Sequence, residues 1–331
     1  MAVRAESNQE PWPQGFRGES PGGCRFALAG PGKVGTSLAL WLIAGGAELA
    51  AVASRDPRRP LDGRLPAAPR LPLGELSSAG LDLLLLTVAD PALSAVAEQL
   101  AARPQARVVL HASGPLDARP LHPLRRLGSE VGTLHPLRAF PEVLAAPAPG
   151  TFYGLDGDPG AVALGRRLAA AWDGEAAVVP AERRALYHLA ATLAAGGVTT
   201  VVAAIAELIE RAGLPEELLA ANLRLMDGAL EATRRAVRER AAAAELDRAI
   251  TGPAARGDLA TLELQREALR ALAPELLPLV AALQDEALRR GRRLRRRAAP
   301  GAEAREMGDE IDQKAISSLR QTPPVRNPER E

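Results

Sequence analysis

Between residues 25 and 180 short apolar runs alternate with stretches in which apolar residues recur every three to four positions; beyond residue 180 only the second pattern remains. Apolar runs of roughly four to eight residues bounded by turn residues read as strands, and the longer periodicity reads as helix. Strands are expected at residues 26–29, 48–53, 81–88 and 107–111, with shorter ones at 131–135, 151–155 and 176–179. Leu83-Leu84-Leu85-Leu86 has no polar alternation at all, as befits a central parallel strand covered on both faces. Residues 58–72, rich in Pro and Arg, read as an irregular connection. Helices are expected at 182–212, 215–243 and 258–290. Strand-helix alternation followed by helix alone predicts an α/β region and then an all-α region.

The first strand runs directly into Gly30-Pro31-Gly32-Lys33-Val34-Gly35 and then into a helix at 36–44. In a strand-turn-helix context this spacing forms a cradle for a dinucleotide. Gly30 allows the tight turn, Gly32 lets the backbone approach a pyrophosphate, and Gly35 lets the helix pack close to the sheet. The helix N-terminus adds free N–H groups and a positive dipole end. The α/β region is therefore a Rossmann-type parallel sheet. Its second strand ends in Ser54-Arg55, where NAD sites place an acid for the ribose; a hydroxyl and a guanidinium suit a 2′-phosphate instead, which favours NADP over NAD. Asp56 keeps NAD open, and Arg55, Arg58 and Arg59 also read as a solvated loop.

Composition narrows the setting. With 331 residues, 47% of them apolar, the chain can form two domains. The boundaries expected are a disordered leader at 1–24, a dinucleotide-binding domain at 25–180, a helical substrate and dimerisation domain at 181–297, and a disordered charged tail at 298–331. A formal charge of +1 argues against dominant attraction to nucleic acid. Cys24 is the only cysteine, so no disulfide framework exists within one chain, in keeping with a cytoplasmic location. The first 23 residues carry Glu6, Glu10 and Glu19 and no apolar core, unlike a signal peptide. Residues 189–206 are uncharged but rich in Ala, Gly and Thr; they read as a buried helix packing closely at a subunit interface rather than as a membrane span.

Candidate chemistry gathers at strand ends. His111 precedes Ala112-Ser113-Gly114, and His135 precedes Pro136-Leu137-Arg138. Ligands of open parallel sheets bind beyond the carboxyl ends of strands, and an imidazole there can protonate a carbonyl or imine. The competing reading is that each ring caps its strand by bonding a backbone carbonyl. His188 lies in the first long helix beside Tyr187 and is either a proton donor or a core histidine; His122 reads as structural. Thr251-Gly252-Pro253-Ala254-Ala255-Arg256-Gly257-Asp258 interrupts the helices with turn chemistry, with Asp258 as a helix N-cap and Arg256 as a clamp for a carboxylate or phosphate.

Together the glycine loop, Thr87-Val88-Ala89-Asp90, His111-Ala112-Ser113-Gly114, the run from His135 to Phe140 and the loop from Thr251 to Asp258 resemble the Rossmann-like proteins with a C-terminal helical domain of unknown function (domain of unknown function 2520). That family is similar in architecture to pyrroline-5-carboxylate reductase, ketopantoate reductase and the 6-phosphogluconate dehydrogenase-like group. The resemblance implies NADP-linked reduction of a small anionic substrate between the two domains, and a homodimer. It implies a nucleotide set of Gly30, Pro31, Gly32, Lys33, Val34, Gly35, Ser54, Arg55, Thr87, Val88 and Ala89. The catalytic candidates are His135, His188 and His111, and the substrate-binding candidates are Arg138, Arg256 and Ser113; no metal is expected. One departure stands out: where relatives carry a polar pair such as Ser-Asn, this chain has Ala195 and Gly196, and its only lysines are Lys33 and Lys314. The leading expectation is thus an NADP-dependent oxidoreductase acting on a keto or imino substrate. The alternatives are a non-catalytic NADP-binding sensor and, from the seven arginines between Arg289 and Arg297, a nucleic-acid-binding protein.

Overall fold

The computed structural model describes residues 23–238 and 246–298, so the expected leader, apart from Gly23 and the buried Cys24, and the expected tail beyond Ala298 lie outside the described residues. Eight strands form one sheet: β1 (Arg25–Ala29), β2 (Glu48–Ser54), β3 (Arg70–Pro72), β4 (Leu83–Leu86), β5 (Val108–His111), β6 (Glu130–Pro136), β7 (Phe152–Gly157) and β8 (Glu175–Val178). Their spatial order is β3-β2-β1-β4-β5-β6-β7-β8. β1 to β6 are parallel, β7 pairs antiparallel with β6, and β8 is parallel to β7. The order reverses between β1 and β4, which makes the carboxyl end of β1 the topological switch point.

Alternation places successive residues on opposite faces, and both faces are buried. Phe26, Leu28, Leu83, Leu85, Val108 and Leu110 belong to one core, whereas Ala27, Ala29, Leu84, Leu86 and Val109 belong to the other. The helices α1 (Lys33–Ala44) and α4 (Pro159–Ala171) cover the first face through Leu38, Trp41, Leu42, Leu164 and Leu168. The second is covered by α2 (Leu93–Leu100) and α3 (His122–Arg125), through Leu93, Val96, Leu100 and Leu124. Around Trp41 the edge of the first core is aromatic: Phe140 and Trp172 lie 5.9 and 5.5 Å away between ring centroids. The Trp41 indole N–H donates to the Leu144 carbonyl at 3.0 Å, and the Leu144 N–H donates to Ser37 Oγ at 2.9 Å. The segment between β6 and β7 is thereby tied to α1.

Two expectations change here. The 58–72 connection ends in β3, a three-residue edge strand terminated by Pro72; so short a strand leaves no periodicity to read. The expected strand at 81–88 shortens to Leu83–Leu86, and residues 87–89 become the loop beside the glycine turn.

The described residues divide into two compact units that meet at Gly196 and Gly197. That division falls later than the composition shift near residue 180, because the helix that follows begins in the sheet unit. It comprises α5 (Arg184–Thr192), a π-helical turn (Leu193–Gly197) and α6 (Val198–Arg211). The stretch Ala181–Arg211 is long and apolar enough, by length and composition, to cross a membrane, yet only 6% of its apolar window is buried within the chain. Within the single chain the helix expected to pack closely at a subunit interface is largely uncovered: Leu186, Leu189 and Leu193 stand exposed.

The second unit continues with α7 (Glu217–Arg238), α8 (Gly252–Arg256), α9 (Leu259–Leu272) and α10 (Leu277–Ala298). The single helix expected at 258–290 is two, because Ala273 leaves helical geometry and Pro274 restarts the chain. Gly257 adopts φ +79°, ending α8, and Asp258 caps α9 by accepting the Thr261 N–H at 3.1 Å. Gly291 lets α10 approach α8, since a side chain there would collide with the Ala255 carbonyl.

Candidate functional site

The glycine loop leaves β1 at the switch point. Gly30 has φ +92°, and a Cβ there would stand 2.8 Å from the backbone of Thr87 and Val88, so only glycine fits. A Cβ on Gly35 would fall on Thr87 Oγ1 and lie 2.5 Å from the Gly30 carbonyl. The Thr87 hydroxyl fills that space and donates to the Gly30 carbonyl at 2.7 Å; Thr87 thus shapes the loop from the neighbouring strand. Gly32 differs from both. It is the N-cap of α1 with no side-chain cap, it is exposed, and a Cβ on it would meet nothing within 4 Å. Nothing in the protein's own packing requires glycine there, and the open space before an uncapped helix start fits a pyrophosphate. Lys33 is exposed, with Pro31 and Val34 half-buried beside it; Val88 is half-buried and Ala89 exposed. Ser54 ends β2 half-buried, and Arg55 beyond it is exposed.

His111 takes the capping role. Its Nε2 donates to the Asp117 carbonyl at 2.8 Å, and the Ser113 N–H donates to its Nδ1 at 3.1 Å. Burial pushes its pKa down to about 4, only partly opposed by that carbonyl bond. Both ring nitrogens therefore serve the backbone of the 112–118 loop. Ser113 is equally engaged: its Oγ accepts the Leu116 N–H at 3.3 Å, and its carbonyl accepts from Arg184 at 3.3 Å.

His135 and His188 are brought together. The rings lie 5.7 Å apart between centroids at 71°. Gly114 packs against both: a Cβ there would overlap His188 Cδ2 and lie 2.8 Å from His135 Nε2 and 2.9 Å from His188 Nε2. On its far side His135 Nδ1 is 2.8 Å from the Tyr187 hydroxyl. Tyr187 fits because its β7 neighbour is Gly154, where a Cβ would sit 2.6 Å from the phenol oxygen. Burial, followed by the positive charges of His188, Arg184 and His111, lowers the His135 pKa to about 4. Burial raises that of Tyr187, with Arg184 acting in the opposite direction. His188 is half-buried, and among the described residues its ring has no hydrogen-bond partner.

Arg184 underlies this cluster. It is wholly buried, reaches the Leu155 and Ser113 carbonyls at 3.4 and 3.3 Å, and leaves Nε without a partner among the described residues. Asp156 and Asp117 act on it electrostatically, but neither forms an ion pair with it. Read from the sequence, Arg184, Tyr187 and Gly114 carried no role. The only signal for Tyr187 was its position next to His188.

The remaining candidates stand alone. Arg138 follows β6 with an exposed side chain, and Arg256, in the second unit, is exposed at the end of α8. Arg289 and Arg290 pair with Glu286, Arg290 and Arg293 with the buried Asp247, and Arg295 donates to the Ala255 carbonyl. Most of the arginine run is thus neutralised or held inside the helical unit. A cavity of about 440 Å³ opens between Asp117, Arg119, His122, Asp156 and Glu182; it contains no residue of the glycine loop. Among the described residues no group of three or more potential ligands could hold a metal ion.

The fold and the glycine turn define an α/β protein with a Rossmann-type sheet and a helical C-terminal region. The chain joins a Rossmann-like domain, matched at residues 22–136, to a Domain of unknown function (DUF2520), matched at residues 151–286. Among solved structures it is similar to a candidate NADP oxidoreductase from Bacteroides fragilis, with TM-score 0.65 and 21% identity over 80% of this chain and 98% of that one. A reductive aminase from Aspergillus terreus in complex with NADPH and ethyl levulinate gives 0.55 and 19%, over 81% and 94%. A 1-pyrroline-5-carboxylate reductase from Streptococcus pyogenes gives 0.52 and 13%, over 81% and 97%. At these identities the likeness establishes a shared fold. No curated protein matches the chain significantly.

Proposed function

We propose that the protein is an NADP-dependent oxidoreductase for a small anionic keto or imino substrate. The observation that carries this reading is the contrast within the glycine loop. Gly30 and Gly35 are required by the protein's own packing, whereas Gly32 faces open space at an uncapped helix N-terminus. Gly30 to Gly35, with Thr87, Val88 and Ala89, would hold the pyrophosphate, and Ser54 and Arg55 the 2′-phosphate. The nucleotide would supply the hydride. The protein's residues would bind, orient and move protons: His135 and His188 at the reacting atom, Arg138 at the anion. His111 would hold the loop between them. NADPH should raise the melting temperature more than NADH at equal concentration, and Arg55→Asp should narrow or reverse that preference; equal stabilisation by both nucleotides, unchanged in the variant, would refute the assignment.

Assembly and location belong to the same reading. The exposed leucines of α5 and the π-turn support a homodimer formed along this helix. The burial of Arg184 and the half-burial of Tyr187 against the sheet support a helix that packs on protein rather than crossing a membrane, and the single cysteine of the chain favours a cytoplasmic enzyme. A sensor without turnover remains the second reading, favoured by Ala195 and Gly196 in the π-turn. Turnover of NADPH with a panel of oxo acids and cyclic imines separates the two.

A further inference from the structure

The two carbonyls that Arg184 holds lie next to the glycines of the histidine cluster. Ser113 precedes Gly114, which packs against the His135 and His188 rings, and Leu155 follows Gly154, which packs against the Tyr187 hydroxyl. One guanidinium thus ties down both backbone segments on which the cluster rests. It reaches them from the helix that carries the other two side chains: Arg184 opens α5, and Tyr187 and His188 follow three and four residues later, the spacing that brings side chains together on one helix face. Tyr187 in turn meets His135 Nδ1 at 2.8 Å.

Packing alone does not call for a charge at this position. Arg184 is wholly buried, its hydrogen-bond partners are neutral carbonyls, and among the described residues it makes no ion pair. Burying a charge without an opposite one is costly, and an apolar side chain of the same length would fill the space without that cost. A guanidinium keeps its proton even so, and its planar fork reaches two acceptors at once, which an ammonium does not. The charge falls where titratable groups gather: Tyr187 and His188 on α5, His135 on β6 and His111 on β5.

We infer that Arg184 is the positioning residue of the His135–Tyr187–His188 cluster, fixing α5 to the 112–118 loop and to β7 and setting the charge under which the imidazoles work. The inference rests on the reductase reading, in which His135 and His188 act at the reacting atom, and adds a residue that acts only through them. The fork serves the first role and the charge the second. Burial and the positive charge of His188 act with Arg184, and with His111 beyond it, to keep His135 neutral. A neutral imidazole retains one nitrogen that accepts a hydrogen, whereas the imidazolium has only donors. The buried charge thereby preserves a proton acceptor in the cluster at ordinary pH.

The experiment uses the full chain labelled with 15N and compares wild type with Arg184→Met, which removes fork and charge, and Arg184→Lys, which removes the fork alone. Ring 15N shifts report the protonation of His135 at pH about 5, where an ordinary histidine is almost wholly charged. Expected are a mostly neutral His135 in wild type and in Arg184→Lys, and a titration raised by about one pH unit in Arg184→Met. Cross-peaks between the His135 and His188 rings should weaken in both variants. If Arg184→Met does not fold, the wild type decides: the Arg184 Nη hydrogens should exchange slowly and give separate signals, as a guanidinium held on two carbonyls does. A single averaged, fast-exchanging guanidinium signal, a charged His135 in wild type at that pH, or a His135 titration and ring contacts unchanged in the folded variants would overturn the proposal. NADPH binding by the wild type is measured separately by thermal shift; its failure would remove the reductase reading and leave the Arg184 result to stand by itself.

Discussion

The sheet region and the helices that follow it solve the burial problem differently. In the sheet every central strand is covered on both faces, and two extended cores close around it within one chain. In the second unit the buried cluster reduces to Ala254, Leu262 and Leu288, with Leu259 and Ala287 beside them. Among the described residues, the exposed large apolar side chains other than Leu127, Leu137 and Val178 lie from Leu186 onward, starting with Leu186, Leu189 and Leu193 on the last helix of the sheet unit. Polar burial differs as well. The sheet unit buries His111 and Arg184 against backbone carbonyls, whereas the helical unit buries Asp247 and Arg266 against opposite charges. A region that satisfies itself can host a site on its own residues; helices with uncovered apolar faces leave part of their burial undone within the single chain.

The largest effect should come from Gly30→Ala. It sets a Cβ against the Thr87 backbone at a positive φ, and about 3 kcal/mol or more of stability should be lost in a urea titration. Gly32→Ala should change stability by less than about 1 kcal/mol while abolishing most of the thermal protection by NADPH. If both variants unfold alike, the loop is structural throughout and the contrast drawn within it fails.

Acid should loosen the sheet unit next. His111 and His135 have folded-state pKa values near 4, below the ordinary value of 6.5. The unfolded chain therefore binds protons first, and the stability these neutral rings contribute above pH 6.5 is lost as pH falls from about 6.5 toward 4. The loss, a few kcal/mol in all, appears as a falling melting temperature over that window. Replacing His111 by Phe should flatten the profile; a profile equally steep in that variant would assign the acid sensitivity elsewhere.

Leu193→Arg tests the helices. Leu193 is 62% exposed in the single chain, so the monomer's own stability should shift by less than about 0.5 kcal/mol. Light scattering should nevertheless report monomer where the parent gives a dimer, and a parent that is already monomeric ends the idea. Ala203→Arg extends the test along the same helix. The smallest effect is expected at Tyr153, whose buried hydroxyl has no partner among the described residues. Tyr153→Phe should be neutral or stabilise by about 1 kcal/mol in the same urea titration.

Sequence legibility follows the same division. Leu83 to Leu86, the glycine spacing and Asp258 were readable because local chemistry alone determines them: uniform apolarity, a forbidden Cβ, a cap. His135 and His188 were each visible as imidazoles, but their convergence depends on Gly114 and Gly154 leaving room for neighbours far away in sequence. Arg184 gave no signal in the sequence because an arginine on a helix is ordinarily solvated; its burial is matched by the carbonyls of Ser113 and Leu155, which only the folded sheet presents. Of the two strand-end histidines, His111 takes the capping role, whereas His135 meets the Tyr187 hydroxyl and the His188 ring.

The ends of the sheet bear on how copies of this chain can meet. One margin is β3, three residues closed by Pro72; the other is β8, four residues opened by Glu175 and followed by Pro180. A proline contributes no N–H, and a ladder this short offers a passing strand little to extend. Strand exchange and fibrillar stacking are thus disfavoured at both margins, and self-association is left to side chains on helices, where one charged substitution can reverse it.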